Sequence, residues 1–309
     1  MRVVALAGGV GGAKMVYGLA GILPAGDLSV IVNTGDDFTH YGLYICPDID
    51  IVCYHLGGLN NSITGWGRKR DTFYAFKESV RLGGPAWFQM GDKDLGTHLE
   101  RTRRLGEGQK LSEITKVFCH RWKIPSHVYP MTDDNVSTWL LTEKSGELPF
   151  QEYFVHQKCQ PVVKKIIFKG AEKAKPVEKS IQEIEKAELV IICPSNPWVS
   201  IDPILSIKEI KASLKQKKVI AISPIIQGKS LKGPAAKIFK EMGIEPSALS
   251  VLEHYKEIVS GFIYDIRDVG IQDLIMQKGI ISYATDTIMR NNKKKLKLAK
   301  EVINFSMTY

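Results

Sequence analysis

The sequence predicts an α/β protein with a Rossmann-like, mostly parallel sheet flanked by helices. The first supporting observation is an apolar run at 3–7 that ends in a glycine-rich segment and continues as a helical pattern. The second is the same order later in the chain, where apolar runs at 188–193 and 218–222 each precede a helical pattern. Strands that alternate with helices in this way are typical of parallel sheets.

The segment that follows the first strand has the composition of a phosphate-binding loop. Four glycines at 8–12 permit close approach of the backbone to an anion. The first N–H groups of the next helix lack intrahelical partners, and the helix dipole adds positive charge. Lys14 would add a full charge. A tight strand-to-helix turn is the purely structural alternative. The predicted phosphate-binding residues are Gly9, Gly11, Gly12 and Lys14.

The same loop fails two common nucleotide-binding motifs. A P-loop requires glycine at the position of Ala13 and Ser or Thr at the position of Met15, so its magnesium-binding hydroxyl is absent. The dinucleotide fingerprint requires a small residue where Lys14 stands. The second failure argues against a nicotinamide-dependent dehydrogenase.

A second strand at 28–33 completes a β-α-β unit with the first strand and helix. It ends in a turn that carries Asp36 and Asp37. Open α/β folds place ligands at the carboxyl edge of the sheet, where this acidic pair would lie.

Apolar residues at helical spacing predict a helix over 47–56. Asp48 is then expected as its N-cap. Asp50 and Tyr54 lie four residues apart on a second face, which would be free to meet a ligand. His55 is predicted as a buried histidine with a hydrogen-bond partner.

The middle of the chain predicts two insertions into a single α/β catalytic domain over 1–309. Helical spacing interrupted by glycine-rich breaks predicts a mostly helical cap at 62–128. Its loop with Trp87 and Gln89 is either a buried apolar contact or a grip on a flat ligand. A small antiparallel excursion is expected within 136–176, and its extended runs are predicted at 136–142, 150–156 and 162–168.

Turns rich in small polar residues follow three later strands. Turn chemistry alone explains any one of them. Because parallel strands end at the same edge of a sheet, we expect these turns to converge with the first loop on one site. Their candidate functional residues are Asp133, Asp134, Asn196, Ser223 and Gln227.

Composition excludes several classes of protein. Five cysteines without a Cys-x-x-Cys pair argue against a zinc ribbon or a disulfide framework, and no apolar run is long enough to span a membrane. With no targeting segment apparent, we expect a cytoplasmic protein. The net charge of +9 is dispersed, so its clusters, such as 101–104, are interpreted as solvated helix faces and no nucleic-acid partner is expected. A positive field suits a small polyanionic substrate.

Six unusual strings in a fixed order support a family resemblance over nearly the whole chain. The sequence resembles the 2-phospho-L-lactate transferases of coenzyme F-420 biosynthesis and, more broadly, gluconeogenesis-factor-like proteins. The strings are LAGGVGGAK at 6–14, NTGDD at 33–37, PDID at 47–50, MTDD at 131–134, SNP at 195–197 and SPII at 223–226.

This resemblance implies transfer of 2-phospho-L-lactate from lactyl-2-diphospho-5′-guanosine to the deazaflavin FO (7,8-didemethyl-8-hydroxy-5-deazariboflavin), with release of GMP. It also implies Mg²⁺ and a homodimer. The alternative is a regulatory protein that binds a nucleotide sugar through the same loops.

The roles that follow from the resemblance are expectations for individual side chains. Asp50 would orient the FO hydroxyl or take its proton, and Trp87 and Gln89 would line the deazaflavin. The residues expected on the guanosine side are Asn196, Ser223 and Gln227. The candidate metal ligands are Asp36, Asp37, Asp133 and Asp134.

Overall fold

The computed structural model describes residues 1–309, apart from the side chain of Val269. Its centre is a seven-stranded sheet in which all neighbouring strands are parallel. Two short antiparallel pairs and a three-stranded antiparallel sheet lie outside it, so the predicted fold class is confirmed. The strands, in chain order, are β1 (Val3–Ala7), β2 (Leu28–Val32), β3 (Phe38–His40), β4 (Leu43–Ile45), β5 (His127–Pro130), β6 (Ser137–Thr142), β7 (Gly146–Pro149), β8 (Val163–Lys169), β9 (Leu189–Ile192), β10 (Val219–Ile222), β11 (Ile225–Ile226), β12 (Lys229–Ser230), β13 (Gly261–Asp265) and β14 (Ile281–Thr285).

The strand order of the central sheet is β14-β13-β10-β9-β1-β2-β5. The chain therefore moves outward from β1 to β5 and then returns to the other side of β1 at β9. The point between β1 and β9 is the topological switch point, where open α/β sheets bind ligands beyond the carboxyl ends of their strands. Leu6 pairs with Ile192, so these two strands end at the same level.

Helices cover both faces of the sheet because the buried strands are apolar on both sides. Along β1, Val3 and Ala5 pack into one core, whereas Val4 and Leu6 pack into the other, as the two-residue period of a strand requires. None of the helices in the described chain is long and apolar enough to span a membrane. The helices, in chain order, are α1 (Gly9–Ala20), α2 (Pro47–Leu56), α3 (Tyr74–Arg81), α4 (Asp92–Gly106), α5 (Leu111–Arg121), α6 (Glu178–Lys186), α7 (Asp202–Leu205), α8 (Lys208–Leu214), α9 (Ala235–Glu241), α10 (Ala248–Tyr255), α11 (Gln272–Met276) and α12 (Asn292–Ser306).

Three helices, α3 to α5, occupy the segment in which the sequence predicts a helical cap. Helix α3 has no buried residue, whereas α5 packs Leu111 and Cys119 into the main core. The predicted interval 62–128 also overlaps β5, which is an edge strand of the central sheet. Helix α3 therefore lies at the surface, α4 buries one face, and α5 is the crossover helix that leads back to the sheet.

The antiparallel excursion consists of β6, β7 and β8, but one predicted strand is wrong. The segment 150–156 is not extended: it contains a π-helical turn at Glu152–His156, and the third strand is β7. Phe150 and Tyr153, three residues apart, are buried together, whereas Phe154 is partly exposed. This spacing is helical, and the apolar content of the segment concealed it.

Candidate active site

A cavity of about 770 Å³ opens at the carboxyl edge of the central sheet. Its size is typical of a small-molecule site. The loops after β1, β2, β9, β10 and β14 contribute to its walls, and so do the cap and the segment that follows β7. The predicted convergence of post-strand turns therefore holds for the first glycine loop and for the turns after β9 and β10.

The glycines of the first loop serve two different purposes. Gly9 is required for its backbone conformation: its φ of +61° is one that residues with a side chain rarely adopt. Space is not the reason, since a Cβ there would meet nothing closer than the Ser200 hydroxyl at 3.8 Å. In contrast, a Cβ on Gly11 would overlap the Pro194 carbonyl oxygen, and one on Gly12 would lie 2.7 Å from the Ser195 hydroxyl. Gly9 and Gly11 line the cavity, but Gly12 does not. Gly11 and Gly12 thus allow the β9 turn to pack against α1, which brings the two walls of the switch point together.

Asp48 holds the glycine loop from α2. Its Oδ1 accepts a hydrogen bond from the Gly9 N–H at 2.8 Å, and its Oδ2 accepts one from Asn33 Nδ2 at 2.9 Å. Burial raises the pKa of Asp48 to about 6, against the opposing effect of these bonds. The expectation that Asp48 is the N-cap of α2 is wrong, because Cys46 occupies that position and Asp48 lies in the first turn.

Of the adjacent carboxylates after β2, only Asp36 lines the cavity. Asp36 is buried, and its Oδ1 has no hydrogen-bond partner. Burial, together with the nearby Asp48 charge, raises the pKa of Asp36 well above its usual range. Asp37 does not line the cavity: its carboxylate is buried beside the Cys46 thiol.

The predicted metal candidates after β5 are not brought to the cavity. Asp133 accepts hydrogen bonds from the Ser112 N–H and hydroxyl at 2.7 Å each, so it fixes the start of α5. Asp134 accepts a hydrogen bond from the Lys175 N–H at 2.8 Å. Both carboxylates stabilise local turns, which corrects their expected place at the site.

Two lysines line the same cavity close to each other. Lys14 follows the glycine loop, and Lys232 lies in the loop after β12. Burial, and then the neighbouring Lys232 charge, lower the pKa of Lys14. Two cations held close together in a partly buried site favour the binding of an anion between them.

Asp50 is held by a buried arginine from the cap. Both terminal nitrogens of Arg101 donate to the carboxylate, Nη1 to Oδ2 at 3.0 Å and Nη2 to Oδ1. Arg101 Nη1 also lies 3.3 Å from His98 Nδ1 and 3.4 Å from the Tyr44 carbonyl oxygen. Arg101 is only 1% exposed, which corrects its interpretation as part of a solvated basic cluster.

Burial also determines the ionisation of the two histidines near α2. The pKa of His98 falls to about 4, first through burial and despite the Asp50 carboxylate. His98 is therefore neutral at physiological pH, and a hydrogen bond from Arg101 to Nδ1 leaves the proton on Nε2. His55 is buried, with Nδ1 2.8 Å from the Ile51 carbonyl oxygen, and does not line the cavity. The prediction of a buried, hydrogen-bonded His55 is confirmed.

Aromatic side chains form one wall of the cavity. Trp87 and Gln89 line it as members of the cap loop, together with Phe88. The Trp87 ring stacks on His156, with a centroid distance of 5.3 Å and an interplanar angle of 22°. Phe154, from the π-helical turn, also lines the cavity. The excursion and the cap therefore meet at an aromatic wall of the cavity.

The turns after β9 and β10 add polar groups to the cavity. Asn196 accepts a hydrogen bond from the Trp198 N–H through Oδ1, whereas its buried Nδ2 has no partner. Ser223 lines the cavity and forms a tight turn with Ile225 through its hydroxyl. Gln227 is exposed, lies outside the cavity lining and only donates its N–H to Asp268, so the structure does not place it in the site.

Several cavity residues escaped the sequence analysis. Asp94 and His98 face the cavity from α4, and Thr287 and Met289 reach it from the loop after β14. The only available signal was the spacing of Asp94, His98 and Arg101 at i, i+4 and i+7, which places a carboxylate, an imidazole and a guanidinium on one helix face. The other residues lie far from any motif in sequence.

The fold and the cavity define a doubly wound α/β protein with a ligand site at its switch point. A family model described as 2-phospho-L-lactate transferase CofD matches residues 3–303. The chain is 37% identical to a phosphoenolpyruvate transferase of Streptomyces griseus over 99% of its own length and 98% of that protein. It is 39% identical to a 2-phospho-L-lactate transferase of Methanocaldococcus jannaschii over 98% and 97% of the two chains.

The chain belongs to the 2-phospho-L-lactate transferase family and is a transferase of a phosphate-containing group. A crystal structure of a UPF0052 family member from Bacillus halodurans has a similar fold, with a TM-score of 0.64 over 98% of each chain. At 14% sequence identity this similarity concerns the fold alone.

Proposed function

We propose that the protein transfers 2-phospho-L-lactate from lactyl-2-diphospho-5′-guanosine to FO and releases GMP. The observation that carries the proposal is the composition of this cavity: a region with the two cations Lys14 and Lys232 adjoins an aromatic wall with Trp87. The first region suits a diphosphate, and the second suits a planar deazaflavin. Both substrates would then meet at the carboxyl end of β1.

The donor diphosphate would lie against the N-terminus of α1. The N–H groups of Val10 and Gly11 are in its first turn and lack intrahelical acceptors. Lys14 and Lys232 would neutralise the phosphoryl oxygens, on which charge develops during transfer. The unpartnered Asn196 Nδ2 and the Ser223 turn support a guanosine site on the β9 and β10 side of the sheet.

A magnesium ion fits one part of this arrangement. Asp36 offers a buried, unpartnered oxygen beside a second carboxylate, and a bound cation would relieve the resulting repulsion. In the described chain no three acidic, histidine or cysteine side chains are grouped to hold a metal. Mg²⁺ commonly takes one or two protein carboxylates and completes its shell with water and substrate phosphates. Bound there, it would offset the negative charge of the diphosphate.

The acceptor hydroxyl would lie near Asp50. Arg101 fixes the orientation of this carboxylate, so Asp50 is prepared to accept a hydrogen bond from the FO ribityl chain. Such positioning is a large part of catalysis in phosphoryl transfer, because it brings the oxygen and phosphorus into line. Trp87 and Phe88 would hold the ring, while Gln89 offers an amide to its polar edge.

Relatives support a second candidate for the three-carbon acid. The Streptomyces griseus protein, 37% identical, is named a phosphoenolpyruvate transferase. An enolpyruvyl donor differs from the lactyl donor by two hydrogen atoms and presents the same diphosphate and guanosine. The same cavity chemistry therefore serves either donor.

The test supplies purified protein with Mg²⁺, FO and equal concentrations of the two donors. Mass spectrometry should detect a phosphodiester-linked deazaflavin, and its mass identifies the preferred acid. GMP should appear in equal amount. Absence of any product, with tight binding of a UDP-sugar and no affinity for FO, would favour the regulatory alternative. The homodimer implied by the resemblance is also proposed, with helix α3, which has no buried residue, as a candidate contact, and sedimentation velocity tests it.

A further inference from the structure

One face of the cap helix α4 carries three buried ionisable groups. Asp94, His98 and Arg101 occupy positions i, i+4 and i+7, so they lie on the same side of the helix. Asp94 and His98 line the cavity, and Arg101 reaches Asp50 on α2. Buried charged residues on an inserted helix demand an explanation, because burial without a partner costs free energy.

Arg101 restricts what Asp50 can do. Both carboxylate oxygens accept hydrogen bonds from the guanidinium, and the two side chains are only 7% (Asp50) and 1% (Arg101) exposed. A proton on Asp50 would break this pair and leave the Arg101 charge without compensation, which is costly in the interior. Asp50 is therefore suited to orient a hydroxyl but poorly suited to carry its proton away.

Asp94 has the opposite environment. It is 9% exposed, and its Oδ1 has no hydrogen-bond partner. Its charged neighbours are Asp50 on α2 and both Arg68 and Asp71 on the segment before α3. The Tyr54 hydroxyl also lies near it. Burial raises the pKa of Asp94 to about 6, and a general base works best with a pKa close to the working pH.

We propose that Asp94 is the general base of the transfer reaction, while Asp50, positioned by Arg101, orients the acceptor hydroxyl. This inference rests on the proposed function. The hydroxyl oxygen forms the new bond to the phosphorus of phospholactate, and its proton passes to the Asp94 carboxylate. The bond between that phosphorus and the oxygen that bridges the two phosphates breaks. The electron pair stays on the bridging oxygen, which leaves as a phosphate oxygen of GMP. Asp94 then returns the proton to solvent.

The test compares pH profiles of kcat/KM for the wild type, Asp94→Asn and Asp50→Asn. In the wild type the rate should rise with pH through about 6, since Asp94 must lose its proton to act. Asp94→Asn should lower kcat by roughly 10²- to 10⁴-fold and abolish the acidic limb, the part of the profile in which the rate rises with pH. Its dissociation constant for FO should stay within about threefold of the wild-type value. Asp50→Asn should also lower kcat but retain an acidic limb. Glu107→Gln, an exposed change at the end of α4, is the control.

The outcomes separate the two proposals. No product from the wild-type protein contradicts the proposed function, whereas product from the wild type with an unchanged acidic limb in Asp94→Asn overturns the role of Asp94. If Asp94→Asn fails to fold, Asp94→Glu decides. A displaced acidic limb in that variant supports the assignment, and a limb identical to that of the wild type refutes it.

Discussion

Arg101 and Asp50 form a two-point hydrogen-bonded ion pair between the cap and the core helix α2. The guanidinium comes from α4, and the carboxylate lies 51 residues earlier in the chain. Because Asp50 lines the cavity, the position of an inserted helix determines the orientation of a group in the candidate active site. The cap therefore fixes a carboxylate of the cavity as well as lining part of its wall.

Replacement of Arg101 by lysine tests this connection. Lysine keeps the charge but lacks the two-point geometry, so we expect kcat to fall by roughly 10²-fold, a loss typical of a misplaced catalytic group. Arg101→Met should also destabilise the fold by about 3–5 kcal/mol, because it leaves a buried carboxylate unpaired. Steady-state kinetics and denaturant unfolding measure the two effects. Arg103→Lys, at an exposed position on the same helix, is the matched control, and wild-type turnover in Arg101→Lys would exclude the positioning role.

Gly11→Ala tests the packing role assigned to this glycine. A methyl group there would overlap the Pro194 carbonyl oxygen, so either α1 or the turn after β9 must shift. We expect a loss of about 1–3 kcal/mol in the free energy of unfolding. Gly96→Ala, in the exposed face of α4, meets no atom within 4 Å and should instead stabilise the helix by up to about 1 kcal/mol. Equal stability of Gly11→Ala and the wild type would contradict the packing role.

The sequence was sufficient for β1, β2, β9 and β10 of the central sheet, but it predicted neither β13 and β14 nor the cap side of the site. Buried apolar runs and glycine-rich turns are local signals, and they placed the glycine loop, Asp36, Asp50, Asn196 and Ser223 near one cavity. The role of Arg101 depends on a partner in another helix, which its own neighbours in sequence do not indicate. Conversely, Asp133 and Asp134 satisfy nearby N–H groups, as acidic turn residues often do.

Lys14→Met tests the anion-binding region. Loss of one of two cavity cations should raise the dissociation constant for GDP by roughly 10- to 100-fold and reduce its dependence on salt concentration. Binding of FO should change little, because the aromatic wall is separate. Titration calorimetry at two ionic strengths measures both ligands. Lys165→Met, on the exposed surface of β8, is the control; if the two variants bind GDP alike, Lys14 does not contact the donor.

Trp87→Ala tests the aromatic wall. The ring lines the cavity and stacks on His156, so its removal should weaken FO binding by roughly tenfold, in line with the contribution of about 1–3 kcal/mol from a stacked aromatic. The affinity for GDP should stay the same. Deazaflavin fluorescence titration measures the affinity for FO, and calorimetry measures the affinity for GDP. Trp139→Ala, outside the cavity lining, is the control, and unchanged FO affinity in Trp87→Ala would remove Trp87 from the acceptor site.

His55→Asn tests a predicted pH dependence of stability. Burial lowers the pKa of His55 to about 4 in the folded protein, against 6.5 in the unfolded chain. Acidification from pH 7.5 to 5 therefore protonates the unfolded chain first and destabilises the folded state by about 2 kcal/mol through this residue. The variant should lose less stability than the wild type over that interval, by about this amount. Urea unfolding at both pH values measures it, and an identical loss in both proteins would show that His55 does not contribute.

The central claim, that one cavity joins a guanosine diphosphate-linked donor to a deazaflavin, is tested most directly by the dependence of GMP release on FO. Purified protein, Mg²⁺ and lactyl-2-diphospho-5′-guanosine or its enolpyruvyl counterpart are incubated with increasing FO. We predict that GMP and a phosphodiester-linked deazaflavin form in equal amounts and that neither forms without FO. Release of GMP at a rate independent of FO, or no release with either donor, would contradict the account.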